Sequence, residues 1–105
     1  MSAFADHARR AIDAVFEHLG IAATYTPPGG GAAIVCMILL DKRDPESRQG
    51  EGRPQAGIVA IEVRKSEIAL PAKNGMFAVG ATDYTVLDRP MAGDPDGLTW
   101  TMWSR

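Results

Sequence analysis

Apolar residues return every three or four positions between residues 3 and 19. Phe4, Ala8, Ala11, Ile12, Val15, Phe16 and Leu19 gather on one stripe, with Asp6, Arg9, Arg10, Asp13 and Glu17 opposite. The period predicts an amphipathic helix, with Ser2 as its N-cap and Gly20 ending it in a left-handed conformation. One such helix does not bury its stripe alone, so the whole stripe is expected to pack on a β core or a neighbouring subunit.

Beyond Gly20 the period falls to two. Residues 21–26 read as a short strand, and Pro27-Pro28-Gly29-Gly30-Gly31 forces a turn. Residues 32–40 are apolar on both faces, as in a strand covered on both sides. Residues 57–65 alternate, with Val59, Ile61 and Val63 on one side and Glu62 and Arg64 on the other. Phe77/Val79 and Leu98/Trp100/Met102 repeat the alternation, and Asp94-Pro95-Asp96-Gly97 marks a hairpin turn. Between these strands, residues 41–56 carry charges of both signs, two prolines, two glycines and no aliphatic anchor before Ala56. A mobile polar loop inside one domain is the expectation. The pattern as a whole predicts a mainly β (α+β) fold over residues 1–105. It is a small β-sandwich or open barrel of about six strands, with one N-terminal helix and a β core over 57–105.

Composition narrows the function classes. With 105 residues and 46% hydrophobic content the chain suits a single core. Eleven basic against thirteen acidic residues give a net charge of −2, which argues against a phosphate-gripping surface and hence against specific nucleic-acid binding. The longest apolar run, residues 32–40, is far shorter than the roughly twenty residues a membrane-spanning helix needs. The N-terminus lacks the basic start and apolar run of a signal peptide, so synthesis in the cytoplasm is expected.

Candidate chemistry is sparse. The single cysteine, Cys36, lies inside the apolar run and reads as a buried, inert thiol. His7 and His18 are eleven residues apart, about 16 Å along a helix, too far to share a metal ion. They read as edge residues lining the helix's packing surface. Gly29-Gly30-Gly31 has no Gly-Lys-Ser/Thr after it, and Asp94–Gly97 has no later bidentate Glu, so neither a phosphate loop nor a calcium loop is expected. With no nucleophile–base pair either, no catalytic, metal or cofactor-binding residue is assigned. Trp100 and Trp103, three apart in a strand, point to opposite faces. Trp100 belongs with the core, and Trp103 projects outward beside Thr99 and Thr101 as a candidate partner contact.

Several local patterns have a counterpart in one family. A strand ends in Val63-Arg64 with Glu67-Ile68 after it, and Gly75 precedes the alternating Phe77, Val79 and Gly80. Tyr84-Thr85-Val86 is followed by Asp88-Arg89, then by the Asp94–Gly97 hairpin and a closing strand with Trp103. In this order, behind an N-terminal helix and a long polar loop, the chain resembles the lambda-type head–tail joining proteins of tailed phages and prophages. It departs from them at Gly75-Met76, where the family often has Gly-Asp. The resemblance implies a non-enzymatic adaptor at the head–tail junction of the virion. Its implied partners are head connector or portal-side proteins, tail proteins and further copies in a ring. Arg43, Arg48 and Arg53 of the polar loop join Trp103 as candidate partner contacts. The alternatives are another phage tail-completion or connector protein, or an OB-like nucleic-acid-binding barrel. The barrel reading requires exposed aromatics among basic residues, whereas Tyr25, Phe77, Tyr84 and Trp100 have apolar or acidic neighbours.

Overall fold

The computed structural model describes residues 3–41 and 58–105. Helix α1 (Ala3–Leu19) leads into β1 (Ile21–Thr26), β2 (Ile34–Asp41), β3 (Val59–Arg64) and β4 (Met76–Val79). β5 (Thr82–Thr85), β6 (Met91–Ala92) and β7 (Thr99–Ser104) complete the chain. The seven strands form one sheet in the order β5-β4-β1-β2-β3-β7-β6, antiparallel at every junction. The sheet curls into a half-barrel, so of the two expected architectures the open barrel is the one formed.

Strand alternation sets the inside of the curl. Ile38, Ile61, Val63, Phe77 and Val86 are fully buried there, with Tyr25, Cys36 and Met102 beside them. The Tyr25 and Phe77 rings meet at 4.9 Å between centroids, and the Tyr25 hydroxyl accepts the Ala72 N–H at 2.9 Å. Gly75 is required by this packing, since a Cβ at that position would lie 2.5 Å from the Tyr25 hydroxyl. Trp100 turns inward against the core, as its alternation predicts, and donates its indole N–H to the Ala69 carbonyl at 3.0 Å.

The two ends of the curl also touch. Val86 bridges Ser104, Thr85 and Arg105 exchange two backbone hydrogen bonds of 2.9 Å, and Leu87 N–H donates to the Trp103 carbonyl. The segment after β5 thereby returns to β7 and closes one rim of the half-barrel.

Three expectations need correction. The helix does not bury its whole stripe in the β core. Phe16 alone is buried, while Phe4 (74% exposed), Val15 and Leu19 (69%) face outward. The contact runs along one edge of the stripe, where Ile12 and Asp13 face Arg64, Lys65 and Leu98. The outer face of β2 is covered only in part, since Met37 lies against the end of α1 while the outward Val35 is 78% exposed. Gly20, finally, is not left-handed. Its N–H continues the helix to the Phe16 carbonyl at 2.9 Å, and an added Cβ would collide with that carbonyl oxygen and press on Met37. Close approach, rather than a positive φ, is what calls for glycine there.

Candidate functional site

Every outward position of β2, β3 and β7 lies on the convex face of the curl. Register aligns Leu40 with Ile61 and Ile61 with Met102 on the inside, which sets Asp41 and Leu39, Ala60 and Glu62, Thr101 and Trp103 on the outside. Ala60, the smallest of these, leaves an open groove of about 280 Å³ walled by Leu39 and Trp103 and edged by Asp41, Glu62 and Thr101. Trp103 is 37% exposed. Asp41, expected in the polar loop, is instead the last residue of β2 and part of this groove.

The far side of the groove is held by carboxylates. The Thr99 hydroxyl donates toward Glu62 Oε2 and lies 3.2 Å from Asp94 Oδ1. Asp94 also accepts the backbone N–H groups of Leu98 (2.7 Å), Thr99 (2.8 Å) and Asp96 (3.1 Å). Burial acts to raise the Asp94 pKa, but these donors stabilise its ionised form and the net direction is downward. This turn positions β7 from one side and fixes Glu62 at the groove edge.

A second cluster ties α1 to the same face. Arg64 donates to Asp13 on the helix at 2.9 Å and to Glu67 at 3.1 Å, with its guanidinium 5.0 Å from the centre of the Phe16 ring. Glu67 Oε1 also accepts the Met37 N–H at 3.0 Å, replacing the ladder partner that β3 no longer supplies after Arg64. Burial acts to lower the Arg64 pKa, yet the Asp13 and Glu67 carboxylates carry it above the usual value. Charge alternation on β3 flagged Arg64 as outward, but nothing in the sequence linked it to Asp13, 51 residues away.

Of the four residues expected to contact partners, Trp103 sits in the groove. Arg43, Arg48 and Arg53 lie outside the described residues, as does nearly all of the segment expected to be a mobile loop. That segment leaves from Asp41 and rejoins at Ile58, beside the groove, where Asp41 pairs with Ala60. His7 and His18 are both exposed and do not line the helix's packing surface. Among the described residues no group of three or more His, Cys, Asp or Glu side chains is placed to hold a metal ion, and no helix is long and apolar enough to cross a membrane.

The residues quoted for the family resemblance have structural reasons. Val63 and Ile68 enter the core, Arg64 and Glu67 form the clamp, Gly75 admits Tyr25, and Val86 closes the rim. No curated protein matches the chain. Residues 1–102 match the profile of the family described as the phage head–tail attachment protein, whose members are structural rather than enzymatic. With nearly its whole length covered and the fold in agreement, the chain belongs to the phage head–tail attachment protein family.

Proposed function

We propose that the protein acts as a repeated subunit of a ring at the head–tail junction, contacting head-side and tail-side components through the convex face around Trp103. The observation that carries this reading is the groove itself, which offers an apolar floor, an exposed tryptophan and a polar rim on a rigid sheet. Adaptors work by presenting a surface that does not move, and β-ladder hydrogen bonds on both sides of β3 supply that rigidity. Arg43, Arg48 and Arg53 stand in the segment that begins and ends beside the groove, so they extend the same contact. The acidic Asp41 and Glu62 next to Trp103 disfavour a nucleic-acid strand as the ligand of this face.

The test is an in vitro joining assay with purified heads and tails. Trp103→Ala is expected to keep the fold, at a cost of about 1–2 kcal/mol for a partly exposed aromatic, and to lower the yield of joined particles at least tenfold. Charge reversal at Arg43, Arg48 and Arg53 is expected to do the same without loss of stability. Normal joining by both variants overturns the assignment of this face. Imaging of joined particles tests the ring separately, since a single copy at the junction contradicts it.

A further inference from the structure

The two tryptophans of β7 differ in what lies over their rings. Trp100 carries the Lys65 ammonium 4.2 Å from its ring centre, and Phe16 carries the Arg64 guanidinium at 5.0 Å. Among the described residues no cation lies over Trp103, although it is the more exposed of the two tryptophans. The countercharge for such a cation is already in place. Register sets Ala60 between Asp41 and Trp103, and on the next outward rung Glu62 between Leu39 and Thr101. Neighbouring strands lie about 4.8 Å apart and successive outward positions about 6.6 Å. Glu62 therefore stands about 8 Å from Trp103 along the diagonal. Its Oε2 takes the Thr99 hydroxyl, while Oε1 has no polar partner among the described residues. No lysine or arginine is among the described residues that line the groove, and Arg105, two positions beyond Trp103, falls outside it.

We infer, on the reading of this face as the contact surface, that the groove seats an arginine side chain of a partner protein, its guanidinium stacked on Trp103 and paired with Glu62. The Ala60 floor and the Leu39 wall suit the methylene stem of such a side chain. About 280 Å³ admits one long side chain, whereas a whole helix is about 10–12 Å across. A planar guanidinium can lie flat on an indole while its edge N–H groups reach a carboxylate, which a compact ammonium does less well. Asp41 on the opposite wall adds negative potential of the same sense. An aliphatic occupant would fill the apolar part of the groove but cover Glu62 Oε1 with nothing that donates to it, which is unfavourable. A second copy of this chain would bring a further net charge of −2 to an acidic rim, so a foreign basic segment is the better match.

Two capped peptides test this chemistry, Ala-Arg-Ala and its citrulline counterpart, which keeps the shape without the charge. The readout is the Trp103 indole N–H resonance, identified by its loss in Trp103→Phe. The arginine peptide is expected to shift that resonance and the Glu62 amide with millimolar affinity, and the citrulline peptide to bind at least tenfold more weakly. Glu62→Gln keeps an acceptor for the Thr99 hydroxyl, so circular dichroism and melting temperature should stay unchanged. It is expected to remove most of the difference between the peptides and to lower the yield of joined particles at least fivefold.

Equal responses to the two peptides overturn the arginine occupant, and so does normal joining by Glu62→Gln. Failure of Trp103→Ala to join in that case leaves the face assigned and only its occupant wrong. Normal joining by both Trp103→Ala and the triple arginine variant removes the face instead, while the peptide titration still decides what the groove binds. Self-association of the parent that Glu62→Gln abolishes would assign the groove to a second copy. A shift of the Trp103 resonance on charge reversal at Arg43, Arg48 and Arg53, with no peptide present, would assign it to the chain's own arginines. Either result overturns the foreign occupant.

Discussion

Arg64 joins the helix to the sheet through three contacts of different kinds: the Asp13 carboxylate, the Glu67 carboxylate and the face of Phe16. Its side chain is 16% exposed and that of Glu67 26%, whereas Asp13 is 43% exposed. The Glu67 pair and the packing on Phe16 therefore contribute more than the Asp13 pair, which stays near the roughly 0–1 kcal/mol of an open surface pair. Arg64→Ala is expected to lower stability by about 2–3 kcal/mol, and Arg64→Lys to recover only part, because an ammonium cannot form the same fork. Equal stability of the alanine variant and the parent in urea titration would remove the clamp. Cys36 gives a pH prediction. Burial, and secondarily the Glu67 charge, push its thiol up to about 11 from an ordinary value near 9. The folded state therefore retains a proton that the unfolded state has lost, and stability falls as pH rises from about 9 to about 11. The slope approaches 1.4 kcal/mol per pH unit from this group. Native protein is expected to resist a thiol reagent at pH 8 and to react once unfolded. Rapid native labelling at Cys36 would contradict its burial.

At the scale of elements, the helix shows what a period does and does not reveal. Alternation and the three-to-four spacing located α1 and the main strands closely, because burial on one face imposes those periods. The partner of each face is another matter. The stripe of α1 is wider than its contact with the sheet, and only the Ile12/Phe16 edge is used there. Similarly, the apolar outer residues of β2 signalled a covered strand, whereas Leu39 lines an open groove and Val35 stands exposed. The Arg64 clamp was equally hidden, since a contact across 51 residues leaves no local spacing. The two edges of the stripe are expected to respond differently to mutation. Phe16→Ala should cost about 3–5 kcal/mol as a buried aromatic truncation. Leu19→Ser should change thermal stability of the dilute protein by less than about 0.5 kcal/mol. Comparable losses in the two variants would mean that the helix lies differently on the sheet.

For the whole molecule, the question is whether the half-barrel behaves as one unit or opens at its rim. A curled sheet with two exposed edges is prone to pairing with other chains, and closure removes that hazard along part of the edge. Here closure rests on residues 85–87 against 103–105, with Val86 fully buried under the junction. The aromatic-x-Val pattern at Tyr84–Val86 was visible in the sequence, but its pairing with the end of β7 was not, because a single bridge has no alternation to announce it. The junction bears on function, since the Trp103 carbonyl accepts the Leu87 N–H at 2.9 Å and the rim thus holds the strand that presents the groove. If rim and core open together, the amides of Thr85, Leu87 and Arg105 should exchange with solvent as slowly as those of β3. Leu87→Pro, which removes the donor to Trp103, should then accelerate exchange at Thr85 and Arg105 and weaken head–tail joining. Fast exchange at all three positions in the parent protein, against slow exchange in β3, would show the rim to be a separate unit and leave β7 to be held by β3, β6 and the Asp94 turn.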